Sequence, residues 1–338
     1  MEGSDGVHGL APRRKSDCGG GSPGGCPQPS AGCQCLAGSP ALACALGGPS
    51  GGTGAGGAAR LPRSAPWRPA HGADRGNRAA ELFTWAARDA AAAGCSALNA
   101  PGFADYRRAL DCWGGAARAW PLPLQWDAGF PAALPQPPAA DVLWITNPHN
   151  PSGQLWSRAA IEPLLAAHRL VIVDEAFLPL VRSLTKLYGL AGLRLGYALG
   201  APARLQRWAR WRDPWPVNGL ATALALRLLS VPHQYRHHCA WVQAWCQRER
   251  DWLTPRLAAL QGPSGRLQPL PSAANYLLLR GDKSLVPLRE RLERRDGVLL
   301  RDCRSFEGLD ERWLRLGLQD RRGNRRLLQA LRRGWAQA

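Results

Sequence analysis

Hydrophobic and polar positions along the 338-residue chain fall into two regimes. Up to about residue 65 the text is Gly, Pro, Ser, Ala and Cys without apolar periodicity, as in GGGSPGGCPQPS and GGPSGGTGAGG. Such a stretch buries too little surface to offset the ordering of its backbone, so residues 1–65 are expected to be disordered. Residues 66–97 are mixed: Arg78–Ala93 (RAAELFTWAARDAAAA) has a helical pattern, while nothing before it reads as a strand, and no fold is assigned there. From about Leu98 the character changes. An apolar run at Val142–Thr146, an amphipathic stretch at Arg158–His168 and a second apolar run at Leu170–Val173 predict a strand, a helix and a parallel strand. Helices are expected at Leu205–Arg212, Leu220–Leu229 and Gln243–Leu260. A C-terminal α+β part follows, with strands near Asn275–Arg280 and Trp313–Leu318 and helices near Val286–Arg294 and Asn324–Gln337. The fold class is therefore α/β: a large domain over 98–235 with a mostly parallel sheet and helices on both faces, and a small α+β domain over 236–338.

The formal net charge of +18 invites a polyanion partner, but the basic residues are nearly all arginine, with lysine only at 15, 186 and 283. An arginine excess beside abundant Ala, Gly, Pro and Trp is also the product of a GC-rich coding sequence, so no nucleic-acid partner is expected. Trp208, Trp211 and Trp215 amid arginines read as helix packing under arginine stems. His237, His238 and Cys239 lie on an arginine-rich helical stretch without a fourth ligand and read as a solvated face, so no metal is expected. Of ten cysteines, Cys18, Cys26, Cys33, Cys35 and Cys44 crowd the N-terminal text without ligand spacing, and Cys95, Cys112, Cys239, Cys246 and Cys303 are scattered. Reduced thiols in a cytoplasmic protein are expected. The longest apolar runs, such as Leu220–Leu229, fall short of a bilayer span, so no membrane association is expected either.

Three segments carry candidate chemistry: NPHNPSG at 147–153, VDEAF at 173–177 and SLTKLYGLAGLRLGY at 183–197. The first is turn chemistry at the carboxyl end of a strand, where α/β sheets place ligands. The second puts Asp174 and Glu175 directly after a buried strand, where a carboxylate is costly without a positive partner, for which a protonated ring nitrogen would serve. The third puts a lone Lys186 three positions after Ser183 and eight before Arg194. An amine that condenses with a carbonyl has to be lysine, because arginine stays protonated.

In that order and spacing the motifs resemble the fold-type-I pyridoxal-phosphate enzymes, the aspartate aminotransferase superfamily, from about residue 98 to 335. The resemblance implies a pyridoxal-phosphate cofactor. Lys186 would form the Schiff base, Asp174 would pair with the pyridinium nitrogen, Asn150 would bond the ring's phenolic oxygen, and Ser183 and Arg194 would hold the phosphate. Phe103 or Tyr106, in APGFADY, would stack on the ring. Within the superfamily, WPVNGLA (215–221), PSAANYLLLR (271–280), RDCRSFEGLDERWLRLGLQ (301–319) and NRRLLQAL (324–331) are similar to the histidinol-phosphate aminotransferase group and, inside it, to the threonine-phosphate decarboxylases of cobalamin biosynthesis. Phe177, where the aminotransferases usually carry Tyr, favours the decarboxylase branch. Arg315 would bind the substrate carboxylate and Arg301 its phosphate. The activity implied is decarboxylation of a phosphorylated amino acid by a homodimer. An aminotransferase acting on histidinol phosphate is the alternative, and a catalytically impaired homologue is the non-enzymatic one.

Two departures from the family pattern stand out. Residues 1–97 carry no recognisable turn at a helix N-terminus for the cofactor phosphate; Gly94–Ser96 is a poor substitute, and the N-terminal text reads like a shifted frame. Asp174 and Lys186 are also only twelve positions apart. If Leu170–Val173 and Leu180–Arg182 were neighbouring parallel strands, about six residues would join them, where a crossover needs a dozen or more.

Overall fold

The computed structural model describes residues 40–45, 73–76, 79–124, 130–176, 184–190, 192, 194, 196–212, 217–262 and 265–336. Phe177, Leu180–Arg182, Ser183 and Trp215 lie outside them.

The first elements among the described residues are strands β1 (Pro40–Ala45) and β2 (Ala73–Gly76), helix α1 (Ala79–Ala93), strand β3 (Ser96–Ala100), helix α2 (Asp105–Asp111) and strand β4 (Ala117–Pro121). Next come β5 (Val142–Thr146), α3 (Arg158–Ala167), β6 (Leu170–Asp174), a single helical turn α4 (Leu184–Leu187) and β7 (Gly196–Leu199). Helices α5 (Pro202–Ala209), α6 (Gly219–Leu229) and α7 (Pro232–Ala258) lead to the second sheet. Its strands are β8 (Gln261–Gly262), β9 (Gly265–Pro269), β10 (Tyr276–Gly281), β11 (Arg301–Asp302) and β12 (Trp313–Gly317), with α8 (Val286–Asp296) and α9 (Arg321–Trp335).

The seven-stranded sheet has the order β2-β7-β1-β6-β5-β3-β4. Strands β4, β3, β5 and β6 are parallel, and both VLWIT of β5 and LVIVD of β6 are buried along their whole length, as expected of strands covered on both faces. Side chains alternate between two cores. Trp144 and Ile172 point to α1, whose Leu82, Phe83, Ala86, Ala87 and Ala90 recur at helical spacing. Leu143, Ile145, Val171 and Val173 point to the other face, with Trp120, Trp156 and the partly buried Ile161, Leu164 and Leu165 of α3. Asp89 of α1 accepts from Arg207 at 2.6 Å and from the Trp208 indole at 3.1 Å, which fixes α5 to the same face.

The first hundred residues supply elements that their sequence does not announce. PALACA at 40–45 lies within the stretch read as disordered, yet it forms β1, antiparallel to β6 and parallel to β7. Six small or apolar residues extend there because the edge of β6 offers backbone partners, which no local pattern announces. Within residues 66–97 the helical pattern at Arg78–Ala93 is α1 (Ala79–Ala93), and β2 and the start of β3 flank it. The sheet position beside β6 is thus taken by β1, while Lys186 sits on the turn α4.

The second sheet is antiparallel, in the order β11-β12-β10-β9-β8. Leu277 and Leu279 of β10 and Leu314 and Leu316 of β12 face Leu253 and Leu257 of α7, Leu288 and Leu292 of α8, and Leu327 and Leu331 of α9. Period-two alternation sends Leu278 and Trp313 to a separate cluster with Cys303 and Phe306 on the opposite face, the side to which Tyr276 and Arg315 belong by register. Helix α7 begins at Pro232, eleven residues ahead of the expected Gln243, because proline at its first turn is pre-set for a helix. The division expected at residue 235 falls in its first turn.

Candidate active site

The carboxyl ends of β3, β5 and β6 lie side by side, and the site is built on them. Thr146 and Asp174 are register partners at the ends of β5 and β6. Asp174 is 4% exposed; its Oδ2 accepts from the Tyr106 hydroxyl at 2.5 Å and its Oδ1 from the Ala176 amide at 2.9 Å. Tyr106 Oη also lies 2.8 Å from Thr146 Oγ1. Loss of hydration pushes the Asp174 carboxyl up to about 7, against the opposing pull of the Tyr106 and Ala176 donors. Burial, with Asp174 beside it, likewise raises the Tyr106 hydroxyl well above its ordinary value.

Tyr106 belongs to an aromatic cluster with Phe83 (5.0 Å between centroids), Phe103 (5.6 Å) and Trp144 (5.2 Å). Phe103 forms its outer end, 38% exposed, whereas Tyr106 is buried. Phe83 lies on the second turn of α1, so the N-terminal part of that helix runs beside the site.

The NPHNPSG turn follows β5 and joins the two sheets. Asn147 closes it, donating to the Trp156 carbonyl at 3.0 Å and accepting from the Trp156 amide at 2.9 Å. His149 is fully buried with Nδ1 2.6 Å from Ser152 Oγ, and loss of hydration lowers its pKa to about 3, so the ring is neutral. The Tyr276 hydroxyl donates to the His149 carbonyl at 2.7 Å, and Asn150 Oδ1 accepts from Arg315 Nη1. Gly153 has φ +79°, and a Cβ there would meet Ser272 Oγ at 2.1 Å, so glycine is the residue that lets the turn seat against the second sheet.

Arg315 therefore reaches from β12 into the turn, its guanidinium 4.8 Å from the Tyr276 ring centre. Its register partner on β11 is Arg301, whose Nη2 donates to Ser305 Oγ at 2.8 Å. Two arginines opposite one another on paired strands repel, and an anion between them removes that cost.

Lys186 keeps an accessible surface, yet the protein around its amine still removes enough hydration to lower its pKa; Arg315 and Arg194 add to this and Asp174 opposes it. Those couplings bring Lys186 into electrostatic reach of Asp174, Arg315 and Arg194. Arg194 adopts φ +54°, a left-handed conformation that costs a non-glycine residue about 1 kcal/mol. Asp174, Asn150, Tyr106, Lys186 and Arg315 thus share one neighbourhood, with Arg301 and Phe103 at its solvent side. Thr146 ends the predicted strand Val142–Thr146, and Ser272 and Tyr276 lie in PSAANYLLLR (271–280), yet none of the three is singled out as a site residue by the sequence. Tyr276 was within reach, since its hydroxyl stands at the start of the buried leucine run of β10.

A carboxylate buried at a strand end, a partly desolvated lysine and opposed arginines on this two-sheet scaffold make an α/β fold of the enzyme class with a candidate cofactor site at the carboxyl edge of its large sheet. The family model for aminotransferase class I and II matches residues 96–181 and 178–331, and the chain belongs to that family. The two matched segments overlap at residues 178–181, between Asp174 and Lys186. The chain is 32% identical over 261 residues to the threonine-phosphate decarboxylase of Salmonella typhimurium (strain LT2), covering 69% of this chain and 68% of that protein. It is 33% identical over 257 residues to the histidinol-phosphate aminotransferase of Symbiobacterium thermophilum, covering 69% and 67%. Among solved structures, the L-threonine-O-3-phosphate decarboxylase from Porphyromonas gingivalis superposes with a TM-score of 0.65 at 25% identity, over 77% of this chain and 82% of that one.

The cofactor of this family is pyridoxal phosphate, and the residues present fit it. Asp174 is a buried carboxyl whose proton affinity is raised by loss of hydration, a cost that a protonated ring nitrogen beside it would offset. Among the described residues, no group of three or more His, Cys, Asp or Glu could hold a metal ion, and no helix is long and apolar enough to cross a membrane.

Proposed function

We propose that the protein decarboxylates L-threonine O-3-phosphate to (R)-1-aminopropan-2-yl phosphate, as in cobalamin biosynthesis, working as a cytoplasmic homodimer with pyridoxal phosphate. The observation that carries this reading is the pair Arg301 and Arg315, opposed across β11 and β12, with Arg315 bonded to Asn150 and coupled to Lys186. Two cationic forks suit a substrate with two anionic groups, a carboxylate and a phosphate.

Asp174 would face the ring nitrogen, Asn150 the phenolic oxygen, Phe103 or Tyr106 the ring face, and Ser183 and Arg194 the phosphate. When bound, pyridoxal phosphate supplies an electron sink for the pair released at the substrate's α-carbon. Asp174 as a carboxylate holds a proton on the ring nitrogen, and Tyr106 and Ala176 hold that carboxylate in place. The carboxylate bond of the substrate breaks, carbon dioxide leaves, and one proton is added at the α-carbon. Lys186 Nζ, with its ammonium pKa lowered, is the group suited to deliver that proton.

A second reading, amino transfer from histidinol phosphate, is favoured by the comparable identity to the Symbiobacterium thermophilum aminotransferase. The full chain with pyridoxal phosphate is to be given L-threonine O-3-phosphate, and separately histidinol phosphate with a 2-oxo acid acceptor. Carbon dioxide released from the first without amino transfer from the second is the expected result. Amino transfer without carbon dioxide overturns the decarboxylase reading in favour of the aminotransferase. Neither product, with no label on Lys186 after borohydride reduction, identifies an impaired homologue.

A further inference from the structure

Lys186 stands on a single helical turn, and one turn cannot hold itself, because nucleating it fixes several residues for one hydrogen bond. The anchor is visible on α7. His238 Nε2 lies 3.1 Å from the carbonyl oxygen of Leu187, the residue after Lys186. A carbonyl only accepts, so Nε2 carries the hydrogen and satisfies one of the carbonyls that a helix end leaves open. The His238 ring is stacked on Tyr188 at 4.3 Å between centroids and 7° between planes, and is stacked with Trp241 at 5.8 Å and 20°. Tyr188 in turn packs against the cluster of Ala221 and Ala225 on α6, as does Tyr235 of α7. Two adjoining residues of the lysine segment, one through its backbone and one through its ring, thus meet the same imidazole.

We propose that His238 is a positioning residue for Lys186: it tethers the lysine turn to α7, in a protein whose sheet position beside β6 is filled by β1. The inference rests on Lys186 being the amine that engages the cofactor. A surface histidine of a long helix needs neither a backbone acceptor on another element nor a coplanar tyrosine, and His238 has both. A shift of about 1 Å in a reacting group can cost on the order of a hundredfold, so a tether one residue from the amine bears directly on its chemistry.

The full chain, its H238L, H238Q and Y188L variants and a K186A control are to be incubated with graded pyridoxal phosphate, reduced with borohydride and mapped by mass spectrometry. H238L and Y188L are expected to raise the concentration for half-labelling of Lys186 about tenfold, and H238Q, whose side-chain amide can donate to Leu187, to restore it to within about threefold. Hydrogen exchange of the amides of 184–190, measured without cofactor, is expected to quicken in H238L and Y188L and not in H238Q. Half-labelling and exchange unchanged in H238L, or lost alike in H238L and H238Q, overturn the tether. If H238L does not fold, Y188L, which leaves α7 intact, decides by the same two readouts. Label absent from Lys186 in the unmodified chain overturns the role of the lysine instead, and the tether then stands or falls on the exchange rates alone.

Discussion

Asp174 and Lys186 lie twelve positions apart and are held by opposite kinds of structure. Asp174 ends a fully buried strand, its position set by backbone pairing of β6 with β5 and its carboxylate fixed by Tyr106 and Ala176. Lys186 rides on one helical turn with accessible surface and meets α7 through its neighbours Leu187 and Tyr188. A sheet places a strand-end residue whatever its side chain is, because the ladder belongs to the backbone. An isolated turn has no ladder, and its place depends on a few side-chain contacts that single substitutions can remove.

The sharpest break of this contrast is Lys186→Ala. It is expected to abolish borohydride-trapped label and to reduce turnover by about 10²–10⁴-fold, the range of a lost proton-transfer group, while the melting temperature stays within a few degrees of the unmodified chain. An unfolded K186A protein would mean that the lysine turn supports the fold.

Asp174→Asn comes next and tests the other half. The carboxyl is raised from 3.8 to about 7, so in the cofactor-free protein the native state binds more protons than the unfolded chain between those values. Its contribution to stability is fully present below pH 3.8 and is lost as pH rises toward 7, a change on the order of 4 kcal/mol. Chemical denaturation across pH 4–8 is expected to show that decline in the unmodified chain and a flatter profile in D174N, together with about hundredfold weaker cofactor retention. A decline of equal size in D174N would assign it to another group.

Arg315→Ala and Arg301→Ala test the proposed substrate end. Each removes a charged donor, and each is expected to raise the KM for L-threonine O-3-phosphate about 10- to 100-fold. Arg315 should show the larger effect, since it also bonds Asn150. Equal KM values in all three proteins would place substrate recognition elsewhere.

Tyr106→Phe should have the smallest effect, about three- to tenfold on cofactor affinity. Because the Tyr106 hydroxyl favours the Asp174 carboxylate, its loss should raise that carboxyl further and carry the decline in stability past pH 7. The same pH titration measures both variants.

Strands β5 and β6 were legible because an uninterrupted apolar run between turn residues has few alternatives: Val142–Thr146 was read with the boundaries observed, and Leu170–Val173 fell one residue short. Helices α3 and α8 start at Arg158 and Val286, where the sequence places them; Ser157 caps the first, and the second runs two residues past the expected Arg294 to Asp296, before Gly297. Strand β1 escaped notice because six small residues in Gly-rich text have no period of their own, and their partners lie on β6 and β7, more than a hundred positions onward. His238 was read as part of a solvated helical face. Its acceptor, the Leu187 carbonyl, is 51 positions away, and no helical spacing points to it.

By itself the sequence determined which chemistry is on hand: one mid-chain lysine, a carboxylate closing a buried strand, an asparagine in a proline-framed turn and arginines in the C-terminal part. These follow from residue identity and from hydrophobic periods that span a handful of neighbours. Only the tertiary structure decided that Tyr106 serves Asp174 across 68 positions, that Arg315 serves Asn150 across 165, and that an N-terminal strand separates β6 from β7. The physical reason is that periodicity is a local property, whereas a hydrogen-bond partner is chosen by sheet order and register, which arise only when distant segments share a core.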